Sequence, residues 1–140
     1  MKGFPPIEQL LPHRPPMLLL DAVVAFDDES VECEVEIRES STFFESGGVP
    51  AWVALEYCAQ TVAAYAGLKA HATGGQPRIG LLVAARELNL QTEVFRAGER
   101  LRIRAHREFG EERVGRFACE VWCAGTRVAN ASLSVYLPEA

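Results

Sequence analysis

Nothing in the 140 residues approaches the uninterrupted run of roughly 18 apolar residues that a membrane-spanning helix needs. The N-terminal stretch "MKGFPPIEQLLPHRPPMLLLD" is broken too often by proline and charge to serve as a signal peptide, so the expected location is cytoplasmic. Positive charge is short as well. The formal net charge is −5, which speaks against general nucleic-acid binding, because such proteins need surplus Lys and Arg to displace counterions from phosphates. Cysteines number four and none has metal-ligand spacing. On a strand Cys119 and Cys123 stand about 13 Å apart at roughly 3.3 Å per residue, too far to share one zinc. They are expected as reduced, mostly buried thiols, with no metal. The sequence has no G-x-S-x-G elbow, which disfavours Ser–His–Asp chemistry. It has no phosphate loop and no dinucleotide-binding G-x-G-x-x-G unit either.

What is present is an ordinary globular composition, 49% hydrophobic and 24% charged. The length suits one core, and hence one domain spanning 1–140. All but two of the 14 basic residues are arginines, and most fall between Arg78 and Arg127, while the first third is acidic. Two readings of these arginines stand: solvated strand faces, or a docking surface for an acidic partner.

Pro5 opens a short helix that Pro12 ends, a lid or a clasp. Residues 17–26 are apolar and β-capable, "DDE" makes a turn, and residues 30–38 alternate. Val31, Cys33, Val35 and Ile37 share one face and Glu32, Glu34, Glu36 and Arg38 the other, so this is a hairpin with one wet side. The segment "RESSTFFESGG" is an irregular loop. Residues 50–70 form the long helix, with proline at the entrance, frequent alanine and no interruption before Gly67. It is apolar on nearly every side, so the rest of the chain must wrap it. After a turn at "GGQP", strands are expected near 78–90, 100–109, 113–124 and 126–137. Two strands, one buried helix and four strands make an α+β fold, a six-stranded antiparallel sheet curled round a long central helix.

Within that helix, "VPAWVALEYCAQTVAAYAGL", Glu56 is an isolated acid, with Gln60 one turn later on the same face. Burying an unpaired carboxylate costs several kcal/mol, so such a group finds a partner or changes its pKa. It is either an ion pair with an arginine or an acid–base group in an apolar pocket, and periodicity does not choose. Of the three histidines, His106 alternates with strand charges and faces solvent, and His71 suits the helix dipole at its C-terminal end. His13 differs, because prolines 12, 15 and 16 stiffen its segment; it is a positioned catalytic group or a plain turn residue. The first free N–H groups of the helix, near Ala51 and Trp52, form a positive dipole end able to bind a carbonyl or oxyanion. An acid–base pair beside such donors suits proton removal next to a thioester carbonyl.

The segment "LPHRPPMLLLDAVV" resembles the N-terminal motif of the 3-hydroxyacyl-ACP dehydratases of fatty-acid synthesis, and "PAWVALEYCAQ" resembles their P-G-V-x-x-x-E-x-x-A-Q helix start. More closely, "PHRPPMLLLD" with "GVPAWVALEYCAQTVAAYAGL" is similar to the dehydratase-like branch of aryl polyene pigment clusters. The resemblance implies a hotdog fold and a dimer, with paired sheets and active sites built from both subunits. Carried over by position, Glu56 matches the catalytic acid, Gln60 the glutamine one turn later, and Pro50 and Ala51 the Pro-Gly at the helix entrance. His13 matches a histidine of the N-terminal motif. The family's catalytic histidine lies in a G-H-F-P segment, and the corresponding "STFFESGGVP" here has no histidine.

The expected activity is therefore dehydration of a 3-hydroxyacyl thioester on an acyl carrier protein. His13 and Glu56 would be catalytic, and Pro50, Ala51, Trp52 and Gln60 would bind substrate. No metal or redox cofactor is required. The acidic carrier would dock on the arginine-rich second half, and the dimer would be a homodimer or a heterodimer with a homologous hotdog subunit. The alternatives are a hotdog thioesterase with Glu56 activating water, or a non-catalytic partner that lacks the G-H-F-P histidine.

Overall fold

The computed structural model describes residues 3–72, 74, 81–110 and 114–136. Six strands form one antiparallel sheet: β1 (Ala22–Phe26), β2 (Ser30–Glu36), β4 (Leu81–Leu90), β6 (Arg100–Gly110), β7 (Val114–Cys123) and β8 (Thr126–Tyr136), in the order β1-β2-β6-β7-β8-β4. Two short strands, β3 (Gly48–Pro50) and β5 (Val94–Arg96), pair with each other in a separate ribbon. The helix α1 (Ala54–Ala72) lies against β2, β6, β7 and β8. The α+β architecture is the expected one. The strands at 78–80, at 113 and at 137, and most of the "GGQP" turn, lie outside the described residues.

Strand alternation puts Val31, Cys33 and Val35 of β2, Leu101, Ile103 and Ala105 of β6, Phe117, Cys119 and Val121 of β7, and Ala129, Ala131 and Leu133 of β8 into the core. The opposite face is a charge ladder, because the β2–β6 register sets Glu32 against Arg104, Glu34 against Arg102 and Glu36 against Arg100. Arg102 reaches Glu32 at 3.1 Å, and Arg100 reaches Glu36 at 3.5 Å and Glu34 at 3.8 Å. These arginines are paired on a solvated strand face, where each pair adds at most about 1 kcal/mol.

Three boundaries differ from expectation, each for a local reason. The short N-terminal helix is a single 3₁₀ turn, Ile7–Gln9. The long helix begins at Ala54 rather than Pro50, because Ala51–Val53 form a tighter 3₁₀ turn. The strand expected over 17–26 starts only at Ala22, because the Met17 carbonyl accepts from the Gln60 side chain and the Leu19 N–H donates to it, instead of pairing with a neighbouring strand. Residues 13–19 thus form a strap laid across the helix.

The helix is wrapped by the sheet on one side and by the N-terminal segment on another. Gly67 makes the second contact possible: a Cβ there would stand 2.1 Å from the Leu10 carbonyl oxygen. Leu55, Ala59, Ala63 and Ala66 are left half-buried in the single chain. At the far end of the helix the Tyr65 hydroxyl donates to the Asp28 carbonyl and Lys69 lies 3.8 Å from the Asp28 carboxylate, which ties the helix to the β1–β2 turn. Asp27 shapes that turn by accepting the N–H groups of Glu29 and Ser30.

The cysteines are free thiols, three of them buried. Burial pushes the Cys33 thiol from an ordinary 9.0 up to about 12, and a hydrogen bond with Cys58 together with burial holds Cys119 well up. A thiolate-directed alkylating reagent at pH 8 is expected to modify Cys123 in the native protein and all four cysteines only in denaturant, read by mass spectrometry. Native labelling of Cys33 or Cys119 would contradict this packing. The raised Cys33 value also fixes a sign: the unfolded thiol ionises near 9.0 and the folded one near 12, so the stability is whole below pH 9 and declines as pH rises through that window.

Candidate active site

The site is built where the strap crosses the first turns of α1. His13 sits on the strap just after the buried Leu10 and Leu11, which anchor that segment in the core. Arg14 folds back to stiffen it, its Nη1 donating to the carbonyls of His13 at 2.7 Å, Leu11 at 3.0 Å and Glu8 at 3.3 Å. Farther along, the Thr42 hydroxyl donates to the Pro16 carbonyl at 2.7 Å, tying strap to loop.

This arrangement brings His13 and Glu56 together. His13 Nε2 is 3.8 Å from Glu56 Oε2, with the two side chains 29% and 38% exposed, so both meet water or a ligand. The two groups expected from sequence to share a substrate therefore meet within one chain. His13 Nδ1 is buried and has no hydrogen-bond partner among the described residues, so only the Nε2 edge faces other chemistry. Gln60 lies beneath the pair. It is wholly buried, and its Nε2 donates to Glu56 Oε2 at 2.9 Å.

The helix entrance contributes less than expected at one position. The Ala51 N–H donates to the Glu93 carbonyl at 3.0 Å, a contact set up by the β3–β5 ribbon, so it is not available to a substrate oxygen. The Trp52 N–H makes no hydrogen bond among the described residues and remains the donor at this end. Pro50 closes β3 and holds the turn that presents it. The Trp52 side chain is 58% exposed and meets Phe43 edge-on at 5.7 Å. Phe43 belongs to the loop "STFFESGGVP" and has φ 73°, a left-handed conformation that costs a non-glycine residue roughly 1–2 kcal/mol. The loop that lacks the G-H-F-P histidine thus sets Phe43 against Trp52, four residues before Glu56 in the chain, a contact that sequence reading passed over; its two consecutive phenylalanines were the available signal.

The other histidines stand apart. His71 is exposed at the helix end, and His106 is half-buried rather than solvent-facing, its Nδ1 covered and without a partner among the described residues. No cluster of three metal-ligating side chains occurs among the described residues, and no helix among them is long and apolar enough to cross a membrane. A cavity of about 290 Å³ shares the strap through Pro15, Pro16 and Leu19 and reaches Tyr57, but His13 and Glu56 do not line it. Burial, and then the nearby Asp21 charge, push Tyr57 up to about 12, so its hydroxyl stays protonated.

A long helix on a six-stranded antiparallel sheet is the hotdog arrangement, and here an acid and a histidine stand at the helix entrance. The family model for the ApeP dehydratases, described as ApeP-like, matches residues 5–140, and the chain belongs to that family. Among solved structures, the dehydratase heterocomplex ApeI:P from Xenorhabdus doucetiae has TM-score 0.92 and 29% identity, covering 97% of this chain and 93% of that one. A hypothetical thioesterase with coenzyme A from Streptococcus pneumoniae has TM-score 0.65 at 11% identity, covering 83% of this chain and 84% of that one. AziG from S. sahachiroi has TM-score 0.67 at 15%, covering 94% and 99%. The last two likenesses show the hotdog fold alone. No match was found among curated protein sequences.

Proposed function

We propose that the chain is a 3-hydroxyacyl thioester dehydratase in which His13 and Glu56 form the catalytic pair. The observation that carries this reading is their 3.8 Å separation on a partly open surface. His13 takes the α-proton; the C–H electrons form the C2–C3 double bond as the C3–O bond breaks, and Glu56 delivers its proton to the departing hydroxyl, releasing water. The Trp52 N–H at the helix entrance polarises the thioester carbonyl while charge builds on it. The cycle ends with a protonated histidine beside a carboxylate, so a proton returned from His13 to Glu56 resets the site. No step calls on a metal or redox cofactor. The substrate arrives on an acyl carrier protein, and a homologous hotdog subunit pairs with this chain as a homodimer or heterodimer.

A second reading is favoured by the ApeI:P structure being a heterocomplex: this chain is the non-catalytic subunit of such a pair. One assay separates the two. Purified protein, alone and mixed with a homologous hotdog subunit, is incubated with a 3-hydroxyacyl carrier, and loss of water is followed by mass. Dehydration that disappears when the chain carries His13→Ala supports catalysis here. Dehydration by the mixture that is indifferent to that substitution assigns the chemistry to the partner.

A further inference from the structure

One side chain joins the helix to the strap that carries His13. Gln60 is wholly buried, and its amide spends both donor hydrogens and its oxygen on protein groups. Nε2 donates to the Met17 carbonyl at 2.7 Å and to Glu56 Oε2 at 2.9 Å, and Oε1 accepts the Leu19 N–H at 2.9 Å. A side-chain amide has two donor hydrogens, so none remains for a substrate.

We infer that Gln60 is not a substrate contact but a positioning residue: it sets the register of the His13-bearing strap on α1 and, through the same amide, fixes the Glu56 carboxylate. The catalytic part of this inference rests on the dehydratase reading; the structural part does not. Its logic lies in the shared oxygen. Glu56 Oε2 receives the Gln60 N–H and is also the oxygen nearest His13 Nε2. With Oε2 shared between Gln60 and His13, Oε1 is the oxygen left for the departing hydroxyl. The strap's other side-chain anchors are more open: the Thr42 bond to Pro16 is exposed, and Arg14 holds backbone upstream of Met17. Gln60 is the one that binds the strap and the acid at once, which makes the His13–Glu56 spacing depend on it.

The test uses Gln60→Met, of similar length but without the amide, with Gln60→Asn, one methylene shorter, should the first not fold. Three quantities are read in the full chain: amide hydrogen exchange at Leu19 against Ile103 and Val121, the ring nitrogen shifts of His13, and kcat and KM on a 3-hydroxyacyl carrier. With one hydrogen bond lost, Leu19 is expected to exchange about 10-fold faster while the sheet amides keep their protection. The His13 ring signals are expected to stop responding to a Glu56→Gln change, because the two groups no longer keep company. Turnover is expected to fall about 100-fold with KM nearly unchanged, the pattern of a misplaced reacting group rather than of lost binding.

Unchanged Leu19 exchange and unchanged His13 signals in both variants would overturn the inference, whatever the protein's activity. Full kcat in a variant whose strap has opened would overturn the positioning role. A wild-type chain that is inactive yet shows the exchange and ring responses supports the clamp and counts against the dehydratase reading, so the two ideas fail separately.

Discussion

Glu56→Gln is expected to lower kcat/KM on a 3-hydroxyacyl carrier by between about 100- and 10,000-fold, the usual worth of a positioned acid or base. The substitution keeps the shape of the side chain and supplies an amide oxygen that can still accept the Gln60 N–H at the site of the 2.9 Å bond. What it removes is the proton delivered to the leaving hydroxyl. Because the Glu56 side chain is 38% exposed, no buried polar group is orphaned, and the fold should survive. His13→Ala is expected to produce a loss of the same order. The double variant should be little worse than either single one, since groups that act as a unit are strongly non-additive. Circular dichroism and thermal melts establish that the folds are intact, and stopped assays with the partner subunit present give the rates. Wild-type turnover in Glu56→Gln would refute the proposed acid, and additive losses in the double variant would mean that the two residues do not act together.

Phe95→Ala is expected to cost about 3–5 kcal/mol of stability, the range for emptying an aromatic site in a core. Phe95 is 1% exposed, heads the largest fully buried side chains, and lies 6.1 Å from the Tyr57 ring on the helix. It is also the centre of β5, whose pairing with Val49 in β3 seats the turn that leads into the helix. The surroundings are pinned: a Cβ on Gly48 would already meet the Phe95 carbonyl oxygen at 2.5 Å, so the ribbon has little room to collapse into the hole. Against a total stability of about 5–15 kcal/mol, the loss should lower the melting temperature by about 10 °C or more. Because the same ribbon holds the Ala51 N–H on Glu93, turnover should suffer beyond what the fraction unfolded explains. A melting shift of only a degree or two, measured by calorimetry, would mean that β3 and β5 are decoration rather than the seat of the helix.

Residues 31–37 and 101–105 show why so much of the sheet could be read directly. Side chains alternate strictly along a strand, so a one-sided core writes itself into the sequence as every second residue, and those positions are buried as expected. The long helix announced itself by length and by alanine. Neither rule reaches β3 and β5, which are three residues each, too short for any period to register. Nor does either rule show where β1 begins, since Met17 and Leu19 are as apolar and β-capable as the residues after them. Their hydrogen bonds leave the sheet because a glutamine 43 and 41 positions away takes them.

The candidate site divides along the same line. The sequence by itself determined the α+β class, the one isolated acid in the apolar helix, the proline-fenced histidine and the missing histidine in "STFFESGGVP". It could not place His13 against Glu56, free the Trp52 N–H while occupying that of Ala51, or show that the Gln60 amide is bonded to the strap and to Glu56. Those outcomes rest on hydrogen bonds and packing between segments far apart in the chain. Periodicity carries information about a residue's own face, whereas distance between two faces exists only once the chain has closed on itself, and that closure the tertiary structure alone decided.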